Sequence, residues 1–140
     1  MISLSTASQL KRAGLTWIPA LHDFFAIPDR GLDDRVFVIS DMMAYVEIRN
    51  NLPVVTFHGV VEWALDYLLT AEVIWLPREE QLRMALSRHL ANEEQPTLSL
   101  LSAEHGYTCQ IRLKRKSLSF NASEASEAYA AALLYLLKSG

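Results

Sequence analysis

The sequence predicts an α+β fold, with one or two antiparallel sheets covered by about four helices in a single compact domain. Three observations carry this expectation. Runs of β-branched and aromatic residues come in two blocks, 35–58 and 97–121, instead of alternating with helices, which disfavours a parallel doubly wound sheet. Apolar residues recur at helical spacing in four places. Finally, 51% hydrophobic against 21% charged residues in 140 positions is enough to bury a core without metal or disulfide, and excludes a disordered or collagen-like chain.

Taken in order, Ser5 and Thr6 suit the cap of a helix over 6–13, with Gly14 at the left-handed position that closes it. Residues 17–28 mix Trp17, Phe24 and Phe25 with Pro19 and Pro28, a pattern of two short extended segments. Strands over 35–39, 44–49 and 54–58, divided by Asp41 and by Asn50 and Asn51, read as an antiparallel meander. Val61, Ala64, Leu65 and Leu68 place a second helix that ends near Thr70, and 73–76 form a short apolar extension. Pro77 opens a third helix, with Glu79 and Glu80 at its positive end and Arg88 and His89 at its negative end, stopping near Ala91.

The polar stretch 92–96 reads as a loop. Strands follow over 97–101, 107–114 and 117–121, turned first by His105 and Gly106 and then by Arg115 and Lys116, with Cys109, Ile111 and Leu113 on one face. Asn121 followed by Glu124 resembles a capping box. It opens a last helix to about Lys138, whose core stripe is Ala125, Ala128, Tyr129, Ala132, Leu133 and Leu136. Trp17, Trp63 and Trp75 are expected in or at the rim of the core.

Spacing argues against several chemistries. The five scattered glycines form neither GxGxxG nor GxxxxGK[ST], so no backbone cradle for phosphates is present. His22, His58, His89 and His105 make no HExxH, and the lone Cys109 allows no zinc ribbon, CxxC pair or internal disulfide. No metal and no cofactor is expected, and a reducing, cytoplasmic location fits. The beginning of the chain lacks the basic-then-apolar order of a secretory signal, and the apolar window 54–76 is broken by His58, Glu62, Asp66 and Glu72. No membrane segment is expected. Ser8 with Lys11, Ser40 with Asp41, and Lys138 with Ser139 and Gly140 imitate the three motifs of penicillin-recognising serine enzymes, but the last follows a helix where that chemistry needs a strand.

Three surfaces remain as candidates. Asp29, Asp33, Asp34 and Asp41 interleave with Arg30 and Arg35; they suit a hard cation or acid–base work, yet lack the spacing of a calcium loop, and Asp also caps turns. Grouped with Trp75, Arg78 and Glu79, the residues Asp29, Arg30, Asp33 and Asp34 make a candidate ligand-binding or enzymatic site, mixed charge beside an aromatic. Second, Arg112, Lys114, Arg115 and Lys116 form a basic hairpin suited to a phosphate backbone, although the net charge of −3 and the scarcity of neighbouring aromatics weigh against nucleic-acid binding. Third, Ala130, Ala131 and Leu134 lie off the core stripe of the last helix. That helix is either packed between two layers or meets a second copy, and a homodimer through it is expected.

A resemblance can be attached to particular strings. Ile27, Pro28, Asp29, Arg30, Leu32, Asp33 and Asp34, then the run from Val36 to Met42, are similar to a family of short uncharacterised bacterial proteins. Glu62, Trp63, Ala64, Leu65 and Asp66 fit it, as do Trp75, Leu76, Pro77, Arg78, Glu79, Gln81 and Leu82, and Glu127, Ala128, Tyr129, Leu133 and Leu134. Members are often labelled pilus assembly proteins; the phosphate loop of an assembly ATPase is absent from this chain. The resemblance spans most of the chain and implies one bacterial domain of this length, with no activity, cofactor or site residue to carry over. The functional expectation is a small cytoplasmic, non-enzymatic interaction protein acting on a protein partner or on itself as a homodimer. The alternatives are the ligand-binding or enzymatic site and, third, nucleic-acid binding.

Overall fold

The structure, a computed structural model, describes residues 1–29, 31, 35–40, 44–57, 67–69 and 72–139, with the backbone alone at 44–49, 54–57 and 67–69. Its elements are α1 (Leu4–Arg12), β1 (Phe24–Ala26), β2 (Phe37–Val38), β3 (Ala44–Arg49), β4 (Leu52–Phe57), β5 (Tyr67–Leu69), β6 (Ile74–Leu76), α2 (Glu79–Leu90), β7 (Leu98–Ala103), β8 (Gly106–Leu113), β9 (Lys116–Ala122) and α3 (Ala125–Ser139). The fold is α+β, with every strand pairing antiparallel. The chain divides into two compact units, one built from Met1–Leu15 and Pro77–Gly140 and the other from Thr16–Leu76.

In the unit that holds both ends of the chain, β7, β8 and β9 form a three-stranded sheet in that order. Alternation along β8 buries Cys109 and Ile111, and α3 packs on β8 and β9 while also contacting α1 and α2. Along α3, Ala128, Tyr129, Ala130, Ala132, Leu133 and Leu136 are buried. One side of the helix is thus covered by other elements of its own unit, and Ala130, off the expected stripe, is buried with it. Ala131 and Leu134, the other two residues off that stripe, are half-buried.

The boundaries expected here shift slightly, for local reasons. Leu113 pairs with Lys116 and Ala103 with Gly106, so the turn residues are Lys114 with Arg115 and Glu104 with His105, each turn one residue earlier than expected. Asn121 is not a helix cap: it lies within β9, and its Oδ1 accepts from Thr108 Oγ1 at 2.6 Å. Ser3, not Ser5 or Thr6, caps α1, its Oγ accepting the Thr6 N–H at 3.1 Å. At α2 the backbone N–H of Arg78 donates to Gln81 Oε1 at 2.8 Å, and Leu82, Ala85, Leu86 and Leu90 turn inward.

The second unit holds two three-stranded sheets, β2-β1-β6 and β3-β4-β5. The meander expected from 35 to 58 is therefore split, since β2 joins β1 while β3 and β4 are continued by β5. Asn50 and Asn51, both left-handed with φ of 51° and 65°, make the tight turn between β3 and β4. The expected helix that ends near Thr70 lies mostly outside the described residues, but its end, Tyr67–Leu69, is a strand paired with Val54, Val55 and Thr56. A short apolar run satisfies either period, and here cross-strand pairing decides it. Residues 73–76 contribute β6, and 17–28 contribute one strand, not two. Three helices are found among the described residues, and none of them is long and apolar enough to cross a membrane.

Candidate functional site

The acidic and aromatic site expected from sequence falls only in part within the described residues. Arg30, Asp33, Asp34 and Asp41 lie outside the described residues. Asp29 is exposed in a left-handed turn position with φ of 62°, and Trp75 is the middle residue of β6; both belong to the Thr16–Leu76 unit. Arg78 and Glu79 belong to the other unit, at the start of α2, where the Arg78 Nε donates to Glu80 Oε1 at 2.6 Å. That partnership holds the Glu80 carboxyl below its usual range. Among the described residues no group of three or more His, Cys, Asp or Glu could hold a metal ion.

Trp75 instead belongs to a ladder of rings. Trp17 stacks on it with centroids 6.3 Å apart and planes 7° apart, and Trp17 also meets Phe25, which meets Phe37. Asp23, buried, fixes this arrangement: its Oδ2 accepts the Trp17 indole N–H at 2.9 Å and the Ala20 N–H at 3.1 Å. A carboxylate so placed organises the loop between residue 17 and β1.

The basic hairpin is built and partly neutralised. Lys114 and Arg115 both sit in the left-handed region, with φ of 50° and 66°, as a two-residue turn between β8 and β9 requires. The loop after α2 supports them. Glu93 Oε2 accepts the Lys114 N–H at 3.1 Å, and Glu94 pairs with the Arg115 guanidinium at 3.2 Å. Two carboxylates against the turn reduce the field that four positive charges would project. Arg112 is half-buried on β8, and its Nε has no hydrogen-bond partner among the described residues.

The edge of the same sheet carries the feature that sequence reading missed. Arg112 N–H donates to Thr97 O at 3.3 Å, so the opposed pair of residues 97 and 112 is a hydrogen-bonded one. By the alternation of an antiparallel ladder, Ser99, Leu101 and Ala103 also face β8 with their backbone groups. Leu98, Leu100 and Ser102 then direct their N–H and C=O groups away from the sheet, and no partner for them is found among the described residues. No charged residue occurs from Thr97 to Ala103, and Leu101 is 51% exposed. Such an edge lacks the Lys, Pro or bulge that usually blunts it. The opposite edge differs, since β9 opens on Lys116 beside Arg115 and directs Ser117, Ser119 and Asn121 outward. The signal legible in the sequence was the uncharged stretch Leu98–Ala103 itself.

At one end of this sheet an open groove of about 410 Å³ is lined by Ala103, His105, Gly106, Tyr107, Thr108, Asn121 and Ala122. Two of its polar side chains, Thr108 and Asn121, bond to each other. Cys109 is fully buried, and desolvation pushes its thiol up to about 11, which favours the protonated form at neutral pH. Set against protein-family models, curated proteins and solved structures, the chain matches none.

Proposed function

We propose that this is a small, non-enzymatic interaction protein that binds an extended polypeptide segment as an added strand along the edge of β7. The single observation behind this reading is the row of outward backbone groups on Leu98, Leu100 and Ser102, without partners among the described residues, in a strand without charge. Main-chain hydrogen bonds supply affinity in such strand addition, and the alternating side chains supply selectivity. The sheet is backed by α3 on β8 and β9, and β7 is paired along its length with β8.

The test is fluorescence anisotropy of a labelled peptide with the β7 sequence, flanked by lysines for solubility. Saturable binding, weakened at least about tenfold by Ser102→Pro, is expected. Proline at an exposed edge position removes an outward N–H and leaves the bonds to β8 in place. Absence of saturable binding by a chain that also remains monomeric overturns the reading.

A further inference from the structure

We infer that the strand received by the β7 edge is β7 of a second copy of this chain, so that two sheets join about a two-fold axis at Leu100. This rests on the reading of β7 as an open pairing edge. The outward residues Leu98, Leu100 and Ser102 are spaced symmetrically about Leu100. A two-fold axis perpendicular to the sheet therefore opposes Leu98 to Ser102 of the other copy and Leu100 to its own equivalent. Every outward group is used, in about six N–H···O bonds. No other two-fold register uses all three outward residues of each copy.

Side chains agree with this register. Leu98 and Leu100 point to the face that carries Ile111 and Cys109, because they are opposed to those residues in the ladder. Yet α3 packs chiefly on β8 and β9, and both leucines stay half-buried. The second copy would set Leu100 against Leu100 on that face and lay Ser99 against the exposed Leu101 on the other. The absence of charge on β7 removes the repulsion that like strands bring when they meet edge to edge. The same absence gives no handle for an acidic or basic foreign peptide. The β9 edge, with Lys116 at its start, would oppose like charges in a comparable pairing.

The experiment is sedimentation equilibrium of the full chain from about 2 to 200 μM, with Ser102→Pro and, as a matched control, Ser119→Pro. Ser119 is exposed and directs its amide outward from β9, so its substitution makes the same backbone change on the other edge. The expected result is a mass of twice the 15.8 kDa chain that returns to the monomer value in Ser102→Pro and persists in Ser119→Pro. Leu101→Lys, which leaves the backbone intact, should also weaken association at least about tenfold and guards against misfolding of the proline variant. A monomer at every concentration overturns the second copy as occupant; if the β7 peptide still binds that monomer, the edge reading stands. A dimer indifferent to Ser102→Pro and Leu101→Lys places the contact elsewhere and overturns the inference.

Discussion

The carboxylate of Glu127 accepts the backbone N–H of Ser3 at 2.7 Å, across a separation of 124 residues. Its second oxygen accepts from Thr6 Oγ1 at 2.9 Å, so one side chain of α3 closes the first turn of α1. No acidic residue occurs in that turn of α1, and Glu127 supplies the negative charge that the helix N-terminus favours. Glu127→Ala is expected to lower stability by about 1–2 kcal/mol in urea unfolding, because it removes both acceptors. Glu127→Gln, which keeps one carbonyl oxygen, should lose less. Equal stability of all three proteins would mean that the clamp contributes nothing.

Gly106 gives a larger expected effect. Its φ is +135°, and a Cβ placed there would lie 2.6 Å from the Ala122 carbonyl oxygen. Backbone cannot retreat as a flexible side chain would, because the contact adjoins the Tyr107–Ala122 end of the β8–β9 ladder and Gly106 is itself paired with Ala103. Gly106→Ala should therefore cost more than about 2 kcal/mol and depress the melting temperature markedly. A melting temperature within a degree or so of the parent would contradict the close approach.

How much of this was legible beforehand varies with the range of the interactions. The helices α1, α2 and α3 could be read because their apolar spacing and end residues are local, and α2 was expected close to Glu79–Leu90. The two antiparallel turns at Asn50 with Asn51 and at Lys114 with Arg115 were approached for the same reason, although the second was displaced by one residue. What could not be read was partner choice among strands. Nothing in residues 35–39 says that Phe37 and Val38 pair with Phe25 and Phe24 instead of with β3, because that choice depends on non-local burial. The partners of the candidate site's aromatic residue were hidden for a related reason. Trp75 looked like a pocket residue beside Arg78, whereas its ring is taken up by Trp17 through a buried aspartate that spacing alone could not connect. The open edge at β7 required knowing which strand stands last in the sheet.

The turn at Lys114 and Arg115 should be improvable. Left-handed backbone costs a non-glycine residue roughly 1 kcal/mol, and two occur in succession here. Arg115→Gly is expected to raise stability by several tenths to about 1 kcal/mol, since the lost pair with Glu94 joins two exposed side chains and contributes little. Glu93→Ala should act in the opposite direction, because it takes away the acceptor of the Lys114 N–H. Urea unfolding of the two variants separates the effects: a destabilised Arg115→Gly would show that the ion pair outweighs the strain.

Cys109 links burial to pH. Its thiol titrates near 11 when folded against an ordinary 9.0, and desolvation likewise raises the Tyr129 hydroxyl above its usual value. As pH rises, the unfolded chain loses these protons first and so binds fewer than the folded chain. Stability is therefore fully present below about 9 and falls as pH climbs from 9 towards 11, by roughly 2–3 kcal/mol for the thiol alone. Cys109→Ala should flatten that part of the decline and leave the share due to Tyr129. Consistent with the same burial, the native protein should not react with a thiol reagent such as dithionitrobenzoate at pH 8, and should react fully in guanidinium chloride. Rapid labelling of the folded chain would show that the β8 face carrying Cys109 opens on the timescale of the reagent, and would predict a correspondingly smaller fall in stability at high pH.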